Sequence, residues 1–152
     1  EDNQAAPGDM TSEALLEATV YARHHDLLVI ELNSYVYHAG QAHGLPLTEY
    51  MVIDERERRI VEPEDMLVDG QEAAFDALLA GAHQRWITEM GLDAQFATQW
   101  PLSKSRNIAP LEDRWEVTYN VYDIAPYAAG QPTLTLPLEA LKGVAKPRYL
   151  GQ

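Results

Sequence analysis

The chain has 152 residues, 46% of them hydrophobic and 23% charged, a composition that fits one globular domain and excludes a disordered chain. Eleven basic against 24 acidic residues leave a formal net charge of −13. That balance repels nucleic-acid phosphates and an anionic bilayer, and suits a basic protein, a cation or a neutral ligand. With no cysteine, disulfides, thiolate metal sites and a cysteine nucleophile are all excluded. Along the chain, 1–16 reads as a polar leader, with a helical turn expected to open at Thr11 or Ser12 on a capping pattern. Thr19–His24 and Leu27–Tyr37 then read as a hairpin about His24, His25 and Asp26, whose imidazoles are expected to be solvated. In its second strand Leu28, Ile30, Leu32 and Val36 share one face, and Val29, Glu31, Asn33, Tyr35 and Tyr37 the other. Such alternation places one face on a core and leaves the other partly wet.

A Gly-punctuated connection from His38 to Pro46 leads to a strand at Leu47–Ile53, a charged turn at Asp54–Arg59 and extended chain at Ile60–Val61. Asp69, with Glu72 three residues on, predicts a capped helix start. Phe75, Leu78, Leu79, Ala82, Trp86 and Met90 continue at helical spacing to Gly91, so this long helix covers the sheet. Leu92 to Pro110 is mixed and broken by prolines. Arg114–Tyr122 alternates as a half-buried strand, Ala125–Tyr127 turns, Thr133–Leu136 is a last strand, and Pro137 opens a short helix that Gly143 closes. Residues 144–152 read as a loose tail. Hairpin links rather than βαβ alternation give an α+β class: an antiparallel sheet from β-hairpins with one long helix packed on it, as a single domain over 17–143.

Catalytic machinery is not apparent. None of Ser12, Ser34, Ser103 and Ser105 lies in a nucleophile setting, and there is no phosphate loop or dinucleotide fingerprint. His43, in a loop folded by Gly40 and Gly44, reads first as a turn residue bonded to backbone. The alternative makes His38 and His43 the centre of a small metal-dependent hydrolase, although no third ligand stands at clear spacing. His83 reads as a helix-flank residue. No catalytic residue, metal ligand or cofactor is therefore assigned. Tyr35, Tyr37, Tyr122 and Tyr127 lie on or beside strands, where tyrosine serves either packing or a binding surface.

Two segments carry a resemblance. Tyr35, Tyr37, Gly40, Ala42, His43 and Gly44 resemble the Tyr-x-Tyr-x-Gly-Gly-Ala-His-Gly motif of a bacterial envelope domain family of unknown function, with Gln41 in place of the second Gly. Tyr122, Asp123, Ile124, Pro126, Tyr127 and Gly130 resemble its Tyr-Glu-Ile-x-Pro-Tyr-x-x-Gly signature, with Asp123 for Glu. The family includes the C-terminal domain of lysozyme-sensing anti-sigma-V factors and a domain attached to some peptidoglycan deacetylases. The resemblance implies an exported domain of the periplasm or cell envelope that acts by contact with a protein or with peptidoglycan; the acidic charge favours a basic partner such as lysozyme, and the lack of catalytic machinery a non-enzymatic binding module. A structural or assembly role is a further alternative. Within the two segments Tyr35, Tyr37, His43, Tyr122 and Tyr127 are the candidate binding residues, and Gly40, Gly44, Pro126 and Gly130 the turn residues. The chain starts at Glu1 rather than Met, which fits a trimmed export signal or lipid-anchor segment.

Overall fold

The computed structural model describes residues 13–40 and 44–151. β1 (Glu13–His24) and β2 (Leu27–Tyr37) form the first hairpin, turning at His25 and Asp26, which both take positive φ (49° and 63°). Paired left-handed residues match the twist of the flanking strands, so the turn is tight. β3 (Leu45–Asp54) and β4 (Arg59–Val61) complete an antiparallel sheet in the order β1-β2-β3-β4. The expected helical turn is corrected here. Thr11 and Ser12 lie outside the described residues, but from Glu13 the chain is strand, paired from Glu13↔Tyr37 to His24↔Leu27. Cross-strand pairing overrides a local capping pattern, and β1 takes in residues 13–16, which the sequence reading placed in the leader.

After a 3-10 turn at Pro63–Met66 come α1 (Glu72–Glu89) and α2 (Ala94–Gln99). The start of α1 differs from expectation: the N-cap is Gln71, without a side-chain bond, because Gly70 (φ 81°) turns the chain between Asp69 and the helix. Its end is as expected. The N–H of Gly91 donates to Thr88 O (3.1 Å) and that of Leu92 to Ile87 O (3.0 Å), a Schellman closure with Gly91 left-handed. The buried stripe is Phe75, Leu79, Ala82, His83 and Ile87, while Met90 is exposed. His83 is thus a core-facing residue, stacked on Trp86, and not a flank residue.

β5 (Ile108–Pro110), β6 (Arg114–Thr118) and β7 (Thr133–Pro137) form a second antiparallel sheet, and α3 (Leu138–Leu141) follows directly. β6 stops at Thr118, short of Tyr122, whose φ of 72° is incompatible with a strand. The second sheet is a middle layer. Trp115 and Val117, opposite Leu136 and Leu134, are fully buried in the core with Phe75 and Leu79 of α1. Full burial of a side chain such as Phe75 or Leu136 is worth about 1.5–3 kcal/mol. The alternate positions Glu116 and Thr118 turn toward the first sheet, where they meet Tyr21 and Tyr50.

The first sheet buries the less apolar of its two faces. Leu27 and Val29 of β2 are buried, with Val52 and Val61 beside them, whereas Leu28, Ile30, Leu32 and Val36 are only half-buried. Leu16 (71% exposed), Val20 (64%) and Ile60 (54%) extend that second, open face across β1 and β4. Periodicity identifies two faces but not which one finds a partner, and here the second sheet offers hydroxyls and amides to match the polar one.

Residues 144–150 are docked, where a loose tail was expected. Val68 N–H donates to Val144 O (2.9 Å), Lys146 N–H to Met66 O (2.9 Å), and the Trp115 indole to Tyr149 O (3.1 Å). Arg148 donates to His25 O (2.9 Å) and to the buried Asp54 carboxylate (3.2 Å), tying the chain's last turn to its first hairpin. His24 is likewise not solvated, since its Nε2 lies 2.8 Å from Pro110 O.

Candidate functional site

The two tyrosine- and glycine-bearing motifs meet in space. Gly44 N–H donates to the Tyr35 hydroxyl (3.0 Å), and the Tyr127 hydroxyl donates to Gly44 O (3.3 Å). A Cβ at Gly44 would land on the Tyr35 ring, so the close approach requires glycine. Tyr127 opens the 3-10 turn Tyr127–Ala129 between Pro126 and Gly130 (φ 74°), and its ring lies 5.8 Å from that of Tyr122. Gly40 takes φ 91° at the other end of the connection. Tyr35, Tyr122 and Tyr127 are therefore brought together around Gly44, while Tyr37 is half-buried two residues further along β2. His43 lies outside the described residues.

A polar seam joins the two sheets beside this knot. β3 continues past the end of β4, so the outward backbone groups of Thr48 and Tyr50 have no strand to pair with. Asn107 takes that place: its Oδ1 accepts from Tyr50 N–H (2.9 Å) and its Nδ2 donates to Thr48 O (2.7 Å). Asn120 Oδ1 accepts from Thr48 N–H (3.0 Å) and from Gln131 Nε2 (2.9 Å). Two side-chain amides thus satisfy buried main-chain groups that would cost about 1–3 kcal/mol each if orphaned. The Tyr50 hydroxyl pairs with Thr118 (2.9 Å), which in turn pairs with Thr133 (3.0 Å). Tyr21 donates to Glu116 (2.5 Å), whose other oxygen holds Arg114. Burial first, and then the bond to Glu116, push the Tyr21 hydroxyl pKa up, so it stays a donor.

A groove of about 760 Å³ opens where the seam meets the open sheet face. Leu32, Leu47, Met51 and Ile60 form its apolar side, and Ser105, Asn107, Asn120 and Asp123 its polar side. Ser105 spends its hydroxyl on backbone, donating to Thr118 O and accepting from Asn107 N–H. It is no activated nucleophile. Arg106, on the same segment, pairs with Asp76 (2.8 Å) and lies over the Phe75 ring, so it anchors the segment to α1. Tyr119 is buried beneath, and that burial raises its pKa to about 12. Burial lowers the pKa of His83, which does not line the groove. Among the described residues no group of three or more His, Asp or Glu is placed to hold a metal. None of their helices is long and apolar enough to cross a membrane. Among the described residues, then, the groove sets an apolar wall against a polar one whose serine and asparagines are engaged with backbone.

Sequence reasoning named the tyrosines of the knot but missed Thr48, Asn107, Asn120 and Gln131. Nothing local marks them, because each bond spans a long stretch of chain or depends on β4 ending early.

Comparison with known proteins gives the chain a family. No curated protein matches it. A family profile described as "Protein of unknown function (DUF3298)" matches residues 64–139, a span that holds the Tyr122–Gly130 motif. The crystal structure of a DUF3298 family protein from Pseudomonas aeruginosa PAO1 is 35% identical and superposes with a TM-score of 0.86, over 90% of this chain and 63% of that one. A DUF3298 member from Bacteroides fragilis NCTC 9343 shares the fold at 23% identity and a TM-score of 0.73, over 89% of this chain and 55% of that one. The chain thus spans less than two thirds of either relative. The α+β architecture, the profile over half the chain and the Pseudomonas likeness agree with the motif resemblance, and the chain belongs to the DUF3298 family.

Proposed function

We propose that this chain is a non-enzymatic, exported envelope domain that holds a basic protein, such as a lysozyme-like enzyme, or a cell-wall glycan against the open face of its first sheet. One observation carries this reading: Leu16, Val20, Leu47 and Ile60 are exposed on a sheet face that no described element covers. Contiguous exposed apolar surface on a globular domain marks interaction sites. A net charge of −13 adds long-range attraction for a basic partner and little for an acidic one. Export, and anchoring through an upstream lipid, rest on the motif resemblance.

Titration of the purified protein with lysozyme and with peptidoglycan fragments, at low and high salt, tests this. Binding that weakens as salt rises, and that is lost in Leu47→Asp, is the expected result. No binding to either at low salt rejects the proposal. The same exposed face favours a second reading, a structural or assembly role in the envelope, which predicts capture of envelope components rather than soluble lysozyme. The hydrolase alternative requires His38 and His43; metal analysis before and after His43→Ala decides it.

A further inference from the structure

β1 is a 12-residue strand at one end of the first sheet, and among the described residues no strand pairs with its outer side. Ala14 to Tyr21 are all exposed. A long, exposed, apolar edge is a template for another strand, and proteins that keep such edges private shorten, charge or cover them. The other edges of this sheet are treated in that way. β4 spans only Arg59–Val61 behind Arg58, and the free stretch of β3 is closed by Asn107 and Asn120. Among the described residues, β1 alone of this sheet's edges is left open.

We infer that β1 pairs antiparallel with β1 of a second copy of this chain, about a two-fold axis through Ala18. The residues on the strand select that register. An axis at Ala18 sets Leu16 opposite Val20 on the open face, and Glu17 opposite Thr19 on the other. Moving the axis to Glu17 sets two carboxylates face to face, which is destabilising. The irregular pairing between Val20 and Ala22 bends the strand and limits the ladder to the stretch before it. In the pair, two four-stranded sheets become one continuous sheet, and their open faces become one larger apolar surface. Because each copy carries −13, the pair strengthens as salt screens that repulsion. Capture of a basic partner depends on salt in the opposite direction, so the two proposals fail independently.

Sedimentation of the full chain over a wide range of concentration and salt tests the pairing. The mass is expected to rise with concentration from 17.0 kDa toward twice that value, more readily at high salt. Val20→Lys, at an exposed site that leaves the fold intact, removes the rise, whereas Leu47→Lys on β3 does not. Thr19→Lys tightens the pair roughly fivefold by facing Glu17 in both copies, and Thr19→Glu loosens it to a similar extent. The chain has no cysteine, so Ala18→Cys reports the axis directly: its Cα atoms would stand about 4.5–5.5 Å apart, within disulfide reach, and mild oxidation cross-links the pair. A monomer at every concentration and salt overturns the inference. So does a dimer that Val20→Lys and Thr19→Glu leave unchanged, since that dimer uses another surface.

Discussion

The two faces of the first sheet carry opposite lessons. Its inner face holds Glu31, Asn33, Thr48 and Tyr50 among its apolar residues, yet it is the one that packs, because Gln131 and Thr118 meet Thr48 and Tyr50, Asn33 and Glu31 bond to each other, and Asn107 and Asn120 close the adjoining backbone edge. Its outer face is the more continuous run of leucine, isoleucine and valine, and it meets no described element. Apolar content alone does not decide what is inside. The supply of a matching surface decides it, and an apolar face kept open is available for an intermolecular contact.

That contrast can be broken hardest at the core. Trp115→Ala empties the centre of the second sheet and orphans Tyr149 O; a loss of about 3–5 kcal/mol is expected in urea unfolding. Asn107→Ala tests whether the seam is held by its amides. Two backbone partners are left unpaired, but they border the open groove and water replaces part of each bond, so about 1–3 kcal/mol in all is expected to be lost, with faster hydrogen exchange at Tyr50 N–H than at Val52 N–H. Asp54 sharpens the comparison through pH. Burial opposes its ionisation, but bonds from the Glu57 and Arg56 N–H groups and from Arg148 outweigh that and hold its pKa below the ordinary carboxylate value. Its folded pKa lies below its unfolded one, so its stabilisation is complete above the unfolded pKa and is lost as pH falls through the folded value. Asp54→Asn should therefore differ most from the native chain at neutral pH and converge with it in acid, as followed by unfolding at a series of pH values. The smallest stability effect belongs to the outer face: Leu47→Asp is expected to change it by no more than about 0.5 kcal/mol in a thermal melt, while abolishing partner binding.

Elements set by local pattern were legible in the sequence. The hairpin at His25–Asp26, the strand about Trp115 and Val117, and the helix closing at Gly91 follow from alternation, turn chemistry and helical spacing. What escaped depends on distant partners. Residues 144–150 look like a loose, basic tail until Arg148 is placed on Asp54 and the Trp115 indole on Tyr149. Asn120 looks like the wet side of a strand, yet its amide serves Thr48, and its own strand has already ended at Thr118. Of the candidate site, the tyrosine and glycine motifs were legible as motifs. Their meeting at Gly44 was not, because Tyr127 reaches it from the far end of the chain.

The amide of Asn107 has a consequence for stoichiometry. By standing in for a strand along the free stretch of β3, it ends the sheet on that side, and the short, arginine-flanked β4 ends the remainder. A chain whose first sheet, among the described residues, has one open edge has a valency of one through that sheet. Its self-association about a two-fold axis uses that edge in both copies and stops at two, where a chain open at both ends would propagate into a filament.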